Sequence, residues 1–195
     1  MAGKVLSTDI STQAEETIEM VSSALQAGEA VVYPSDTVYG IMADASCLKT
    51  VKSVAAVKGY SKIRPFIVLV GSVTRALELT SKKSAEEIMR KHWPGPVTLI
   101  LPASDAVHPW LLSDSGTVAL RIPGDPLSTA ILKHTGLDII STSANRKGET
   151  FPHGINAVHP EILESAFLIL DGGLLPLRKP SRIIDATKET PVDIR

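Results

Sequence analysis

Residues 30–40 read AVVYPSDTVYG, and the fold can be worked out from this segment. Its first four residues are apolar or aromatic, which is typical of a short buried strand, whereas the proline, aspartate and hydroxyl residues that follow are typical of a turn. Upstream, residues 12–15 (TQAE) have the spacing of a capping box, and apolar residues recur at helical intervals until Gly28. The segment therefore predicts an amphipathic helix and then a buried strand that ends in a polar turn.

Short apolar runs continue to alternate with helical patterns along the rest of the chain. Helices are predicted at residues 48–58, 84–93 and 125–134, and strands at residues 67–70, 97–101, 117–122, 139–142, 167–170, 182–185 and 192–194. Several of these strands follow one another without an intervening helix, which indicates strands of both directions. We predict a single domain over residues 1–195 of the α/β (α+β) class, with a twisted, open mixed sheet flanked by helices.

The composition limits the classes of protein to which the chain can belong. With 195 residues, 44% apolar content and a net charge of -1, it can close one substantial core, and it is neither a disordered chain nor a generally basic nucleic-acid binder. No segment has the apolar run of a signal peptide or of a membrane span. Cys47 is the only cysteine, which suits a reducing compartment. We therefore expect a cytoplasmic protein with no membrane partner.

Positive charge is concentrated in one segment of the chain. Residues 49–91 contain ten Lys or Arg and three acidic residues, which gives a net charge of +7. A run of this kind is usually a solvated helix surface, but it could also gather a polyanion such as double-stranded RNA onto one face. The sequence leaves both interpretations open.

Motifs of the better-known nucleotide, metal and hydrolase sites are missing. The chain has no G-x-x-x-x-G-K-[ST] or G-x-G-x-x-G phosphate loop, no H-E-x-x-H and no G-x-S-x-G. Its five histidines lack the spacing of metal ligands, so no protein metal site is predicted. Instead, hydroxyl, amide and cationic side chains collect beside strand ends at residues 34–40, 58–65, 117–121 and 141–145. Donors of this density suit an anionic ligand, because charge-assisted hydrogen bonds to phosphate or carboxylate are short and strong.

Six polar and proline-rich blocks occur together in a fixed order. They are YPSDTVYG at 33–40, Lys58 with Arg64-Pro65, WPGPVT at 93–98, RIP at 121–123, STSAN at 141–145, and PSRIID at 180–185. In order and spacing, residues from about 14 to 195 resemble the YrdC-like threonylcarbamoyl-AMP synthases in their short single-domain form. The resemblance implies a YrdC-like (DHBP synthase-like) fold. It also implies an enzyme that makes threonylcarbamoyl-AMP and pyrophosphate from L-threonine, bicarbonate and ATP, for the t6A modification of tRNA at its position 37.

The resemblance implies roles for individual residues. Lys58 and Arg121 are the expected catalytic residues. L-Threonine is expected at Thr37, Arg121, Ser141 and Ser181, and ATP at Lys58, Tyr60, Arg64, Thr117, Ser143, Asn145 and Arg195. Arg121 suits the carboxylate of the amino acid through a bidentate pair, and the cations on the ATP side offset the triphosphate charge. Mg²⁺ is expected to arrive with ATP, because this ion keeps several waters and needs few protein carboxylates.

Three residues depart from the pattern of the resemblance. Tyr60 stands where an arginine is usual, Leu69 where many members have a histidine, and Arg182 where a threonine commonly follows the serine. Arg182 is a candidate for restoring the cation missing at position 60.

Two alternative functions follow from these departures and from the basic segment. One is a paralogous ATP-dependent enzyme that forms an acyl or carbamoyl adenylate with another substrate. The other is a double-stranded RNA-binding or regulatory protein. As partners, the resemblance implies tRNA and downstream tRNA-modifying proteins, and the sequence leaves the oligomeric state open.

Overall fold

The computed structural model describes residues 4–7, 15–178 and 180–195. The strands of this part of the chain are β1 Lys4–Ser7, β2 Val31–Pro34, β3 Tyr39–Asp44, β4 Ile67–Leu69, β5 Val97–Pro102, β6 Thr117–Arg121, β7 Ile139–Ser143, β8 Leu168–Asp171, β9 Arg182–Asp185 and β10 Val192–Asp193. The α-helices are α1 Glu15–Gln26, α2 Leu48–Val57, α3 Val73–Leu79, α4 Glu86–His92, α5 Pro126–Thr135 and α6 Pro160–Ser165.

The described strands form one mixed sheet in the order β1-β8-β2-β3-β7-β4-β6-β5-β9-β10. Strands β2 and β3 form an antiparallel hairpin, and β3 and β4 both pair antiparallel with β7. Parallel pairs join β8 to β2, β4 to β6, and β5 to β9. The predicted fold class, a mixed sheet flanked by helices, is confirmed.

The structure contains four elements that the sequence did not predict: β1, β3, α3 and α6. Residues 39–44 form β3, although the turn was predicted to run through Gly40, because this segment is buried and pairs with β2 and β7. Helix α3 has Ser72 as its N-cap, whose hydroxyl accepts a hydrogen bond from the Arg75 amide. Strand β1 and helix α6 were also not predicted. The predicted capping box lies partly outside the described residues, since α1 begins at Glu15.

Helices cover both faces of the sheet. On one face, Val21 and Leu25 of α1 and Ile131 of α5 pack against every second residue of the strands, such as Val31 and Leu168. On the opposite face, apolar residues of α2, α3, α4 and α6 pack against the intervening strand residues. Each fully buried Leu, Ile or Val contributes roughly 1.5–3 kcal/mol to folding, so the two layers fix the register of the central strands between them.

The face that carries α1 and α5 is only partly covered. Strand alternation places Gly40, Ser141 and Ser143 on this same face, beyond the apolar residues that the two helices bury. The polar ends of β3 and β7 therefore meet beside a gap in the helical layer. Among the helices of the described residues, none is long and apolar enough to cross a membrane.

Candidate active site

A cavity of about 500 Å³ lies at this gap. Its lining combines Tyr33, Ser141 and Ser143 from the sheet with residues 58, 60, 64–67, 145–149, 151, 180, 181 and 183. Among the described residues, the lining contains six Lys or Arg side chains and one side-chain carboxylate, that of Glu149. This excess of cations suits a ligand with several negative charges.

Ten of the eleven residues singled out from the sequence line this cavity, although they are widely separated along the chain. They are Thr37, Lys58, Tyr60, Arg64, Arg121, Ser141, Ser143, Asn145, Ser181 and Arg195. The expectation that these side chains converge on one hollow is met by the geometry. Which ligand each residue contacts stays a prediction.

Thr117 is the residue that the structure does not bring to the cavity lining. It shares a sheet face with Arg121, but the two residues stand at opposite ends of β6. Its hydroxyl lies 2.7 Å from that of Ser113, and its backbone N–H donates to Ser113 as well. The expected contact of Thr117 with ATP therefore has no support from its position relative to the lining.

Lys58 holds a buried ammonium group at the C-terminal end of α2. The residue is 2% exposed, and its Nζ donates to the backbone carbonyls of Ser143 at 2.6 Å and Asn145 at 2.8 Å. Burial lowers the pKa of Lys58 to about 8, and the neighbouring carboxylate of Glu149 opposes that shift. Lys58 thus joins α2 to the end of β7, and its charge is sensitive to pH near neutrality.

Arg121 is held from outside the cavity by an acidic residue that sequence reasoning missed. Its Nη2 pairs with the Asp36 carboxylate, and its Nε donates to the Gly95 carbonyl at 3.0 Å. Both side chains are largely buried, at 7% exposure for Arg121 and 12% for Asp36. The Nε–Nη2 edge of the guanidinium is therefore used within the protein. Nη1 has no partner among the described residues and is the nitrogen left for a ligand.

Each hydroxyl assigned to the amino acid lies next to a second hydroxyl. Ser141 Oγ is 2.9 Å from the Tyr33 phenol, Thr37 Oγ1 is 3.1 Å from Ser35 Oγ, and Ser181 Oγ is 3.3 Å from Thr98 Oγ1. Tyr33, Ser35 and Thr98 were not predicted as site residues. Tyr33 and Ser35 stand in the YPSDTVYG block and Thr98 in the WPGPVT block, so nearness to the recognised motifs was the available signal.

Asn145 is oriented by the loop that follows β7. Its Nδ2 donates to the Glu149 carbonyl at 2.8 Å, whereas its Oδ1 is buried and has no hydrogen-bond partner among the described residues. On the rim of the cavity, Arg146 pairs with Glu161 at 3.1 Å. The loop therefore adds one fixed amide and several charges to the edge of the site.

Comparison with known proteins identifies the family. The Sua5/YciO/YrdC family model, described as telomere recombination, matches residues 23–195. The chain belongs to this family. The predicted resemblance is therefore confirmed.

Several members of the family are named for one reaction. A threonylcarbamoyl-AMP synthase from Bacillus subtilis is 31% identical over 191 residues, which cover 96% of this chain and 55% of that protein. A putative threonylcarbamoyl-AMP synthase from Mycobacterium tuberculosis is 34% identical over 175 residues, covering 88% of this chain and 80% of that one. The chain spans about half the length of the Bacillus subtilis and Pyrococcus abyssi synthases that it matches.

Solved structures of the family share the fold. The crystal structure of Pyrococcus abyssi Sua5 complexed with L-threonine matches with a TM-score of 0.83 at 27% identity, covering 100% of this chain and 56% of that one. Escherichia coli YciO matches with a TM-score of 0.86 at 23% identity, covering 99% of this chain and 95% of that one. At that identity, the likeness to YciO concerns the fold alone.

The three departures from the family pattern lie in different environments. Tyr60 lines the cavity, and its ring centroid is 6.0 Å from Lys58 Nζ and 5.3 Å from Arg64 Cζ. Leu69 is buried in the apolar layer under α1 and α5 and does not line the cavity. Only the change at position 60 therefore alters the lining directly.

Arg182 does not replace the missing cation. Because Ser181 and Ile183 line the cavity, Arg182 between them points to the other side of β9. There it pairs with Asp193 at 2.5 Å and is 56% exposed. The expectation that Arg182 compensates for Tyr60 is wrong for this geometric reason.

Proposed function

We propose that this protein is an L-threonylcarbamoyladenylate synthase, a nucleotidyltransferase that makes threonylcarbamoyl-AMP and pyrophosphate from L-threonine, bicarbonate and ATP. The observation that carries the proposal is the convergence of cationic and hydroxyl side chains, from Thr37 to Arg195, on one cavity of about 500 Å³. The Bacillus subtilis family member named for this activity is 31% identical to the chain, and the related Pyrococcus abyssi Sua5 was crystallised with L-threonine. The same proposal places the protein in the cytoplasm. There its product would be used by downstream tRNA-modifying proteins to make the t6A modification of tRNA.

The nucleotide half of the proposed site is supported by charge. Lys58, Arg64 and Arg195 line the cavity with the Ser143 hydroxyl and the Asn145 amide. Cations of this number offset a triphosphate, and the hydroxyl and amide groups can fix its orientation. Both Lys58 and Arg64 lie within cation–π distance of the Tyr60 ring, at 6.0 Å and 5.3 Å from its centroid.

The amino-acid half is supported by the hydroxyl groups and by Arg121. Thr37, Ser141 and Ser181, which each carry a hydroxyl, line the cavity, and Arg121 offers Nη1. A carboxylate at Arg121 would form a charge-assisted hydrogen bond, and the hydroxyls would meet the remaining polar groups of L-threonine.

The proposed chemistry needs no covalent enzyme intermediate. The neutral amine of L-threonine becomes a carbamate either by adding to the carbon of carbon dioxide with loss of a proton, or by adding to the carbon of bicarbonate with loss of water. A carbamate oxygen then attacks the α-phosphorus of ATP, and the bond to the leaving pyrophosphate breaks. Holding the reactants in place and stabilising the charge that develops on the phosphate are sufficient for such a step. Lys58 and Arg121 are the proposed catalytic residues because they bring buried positive charge to the two halves.

Mg²⁺ is proposed to enter with ATP rather than to occupy a site made by the protein. Glu149 supplies the one carboxylate among the lining residues, and the described residues hold no group of three or more His, Cys, Asp or Glu suited to a metal. Such a lining fits an ion that keeps most of its ligands from phosphate and water. When bound, the ion would neutralise phosphate charge during the displacement.

The proposal is tested by measuring pyrophosphate release with the purified chain. Release is expected to require L-threonine, bicarbonate and MgATP together, and mass spectrometry of the mixture should show threonylcarbamoyl-AMP. Omitting any one substrate is the matched control. Release that occurs equally without L-threonine would contradict the proposal.

A second candidate is favoured by one observation, the aromatic residue at position 60. Tyr60 lines the cavity at the position where the family resemblance implies an arginine, which suits a paralogous enzyme that forms an acyl or carbamoyl adenylate with another substrate. A panel of amino acids in the same pyrophosphate assay separates the two candidates. Preference for an amino acid other than L-threonine would favour the paralogue.

Tyr60→Arg is expected to tighten ATP binding about tenfold, because a charge-assisted hydrogen bond to phosphate contributes roughly 1.5–3 kcal/mol before the repulsion from neighbouring cations is counted. The measurement is the dissociation constant of ATP by calorimetry. Tyr60→Phe, which keeps the ring without adding charge, is expected to stay within about twofold of the unaltered protein. Equal affinity in the Arg and Phe variants would show that position 60 does not face the phosphates.

An RNA-binding role has less support than an enzymatic one, because many cations of the basic segment at residues 49–91 already have partners within the protein. Of its ten cations, Lys58 and Arg64 line the cavity, and Arg75 and Arg90 form ion pairs with acidic residues. Lys82 and Lys83 donate to backbone carbonyls. Steep salt dependence of double-stranded RNA binding would still favour that role, since phosphate contacts release counterions.

A further inference from the structure

The loop that joins β8 to β9 turns two leucines towards solvent. Leu174 is 85% exposed and Leu177 is 89% exposed, the highest values among the large apolar side chains of the described residues. Between them in the sequence, Leu175 is only 8% exposed and packs into the core. We call Leu174 and Leu177 the ridge. Because contact of apolar side chains with water is unfavourable, the ridge favours any arrangement that buries it.

The backbone of the ridge is anchored to the rest of the protein. The Tyr39 phenol donates to the Gly173 carbonyl at 2.8 Å, and the Leu175 N–H donates to the His153 carbonyl at 2.7 Å. These two hydrogen bonds stand on either side of Leu174. An anchored segment loses little further conformational freedom when it binds, so the ridge is preorganised for a contact.

A groove of about 270 Å³ lies directly beside the ridge. Leu175 and Pro176, which stand between the two ridge leucines in the sequence, form one of its walls. Its other apolar lining residues are Pro34, Pro126 and Leu127. Apolar cavities of roughly 150 Å³ accommodate benzene, so the groove is large enough for a leucine side chain. Among the described residues, it shares only Ser35 and Thr37 with the lining of the active-site cavity.

The charges of the groove favour an occupant that carries a cation. Asp36 lines the groove but is already paired with Arg121, whereas the Oδ2 atom of Asp125 is buried and has no hydrogen-bond partner among the described residues. Burial raises the pKa of Asp125 above its usual value, so a nearby positive charge would be favourable. Arg178 directly follows the ridge, is exposed, and donates from Nη1 to the Asp36 carbonyl at 3.2 Å. Leu177 and Arg178 therefore combine the apolar and the cationic group that suit the groove.

We propose that this face is the contact between two copies of the chain, in which the ridge of each copy enters the groove of the other. A ridge and a groove side by side on one face are self-complementary under a two-fold axis, the commonest symmetry of homo-oligomers. The contact buries both ridge leucines of each copy and brings Arg178 of one copy towards Asp125 of the other. A stable interface buries roughly 1,200–2,000 Å², and a ridge of two leucines is small beside it, so a weak dimer with a dissociation constant of about 1–100 µM is expected. The contact does not depend on the proposed reaction.

Analytical ultracentrifugation of the full chain between about 1 and 500 µM tests the proposal. The unaltered protein is expected to change from monomer to dimer over this range. The double variant Leu174→Ser with Leu177→Ser is expected to dimerise at least about tenfold more weakly, because each copy loses both ridge side chains. Since these side chains are exposed in the single chain, the thermal unfolding temperature should stay within about 2 °C of that of the unaltered protein.

Phe167→Ser is the matched control. Phe167 is also exposed, at 55%, but it neither belongs to the ridge nor lines the groove. Its dimerisation constant is expected to stay within about twofold of that of the unaltered protein. Arg178→Glu is expected to weaken the dimer more at low than at high salt, because salt screens the attraction between the ridge and the groove.

Two results would overturn the proposal. A chain that stays monomeric up to about 500 µM would show that a second copy does not cover the ridge, which would then be left to a different protein. A dimer that survives both serine substitutions would show that another surface holds the copies together.

Discussion

ATP is expected to bind roughly 10- to 150-fold more weakly to Lys58→Met than to the unaltered protein, because a charge-assisted hydrogen bond to phosphate contributes about 1.5–3 kcal/mol. Lys58 is the most buried of the cavity cations, and its Nζ is anchored by two backbone carbonyls at the end of β7. Its charge is therefore held in one place and is weakly screened by water. The measurement is the ATP dissociation constant by calorimetry at pH 7.

The pH dependence of ATP binding distinguishes a charge effect from a change of shape. The pKa of Lys58 in the free protein is about 8 because the ammonium is buried. Above that value the residue loses its proton, and each further pH unit lowers the protonated fraction roughly tenfold. ATP affinity of the unaltered protein is therefore expected to fall as pH rises from 8 to 9.5. Lys58→Met should bind weakly but without this step.

Lys147→Met is the matched control for the Lys58 prediction. Lys147 also lines the cavity, but it is exposed on the rim, where water screens its charge. Its loss is expected to weaken ATP binding by no more than about fivefold. Thermal unfolding of both variants checks that the fold is kept. Equal effects of the two lysines would contradict a special role for Lys58.

Asp36→Leu is expected to lower the free energy of unfolding by about 3–5 kcal/mol, the range found when one partner of a buried ion pair is removed. The change leaves the Arg121 guanidinium, at 7% exposure, without its carboxylate partner. The measurement is urea unfolding at pH 7. The double variant Asp36→Leu with Arg121→Met should be more stable than the Asp36→Leu single variant, because no unpaired charge is then buried.

The ion pair between Arg182 and Asp193 provides the control for the Asp36 prediction. It joins the same types of group, at 2.5 Å, but its side chains are 56% and 48% exposed. Asp193→Leu is therefore expected to change the free energy of unfolding by less than about 1 kcal/mol. A loss of similar size at positions 36 and 193 would mean that burial does not set the strength of the Asp36–Arg121 pair.

The sequence predicted the parts of the site that depend on short segments. The block at residues 33–40 indicated a strand followed by a polar turn, and residues 141–145 placed hydroxyls and an amide at a strand end. Both segments line the cavity. Their positions follow from local rules, because polar residues that follow a buried strand lie where the chain leaves the core.

The remaining features depend on the arrangement of distant segments. Asp36 pairs with Arg121 across 85 positions of the chain, and no local pattern specifies that contact. The prediction that Thr117 belongs to the site is not supported, because Thr117 lies four residues along β6 from Arg121, a separation of about 13 Å. The order of the motifs does not reveal this distance. Arg182 could have been excluded from the sequence, since it alternates with Ser181 on a strand and the two cannot face the same side.

Strand β7 also sets the distance between the two proposed substrates. We propose Ser141 for the amino-acid half and Ser143 for the nucleotide half, and both residues lie on one face of β7. Two residues along a strand advance about 6.6 Å. The groups that hold the attacking carbamate and the α-phosphorus would therefore stand only two residues apart on β7. A one-residue insertion between these serines would turn one of them to the opposite face of the sheet. The carbamate and the α-phosphorus would then be held apart, although no side chain of the site had been removed.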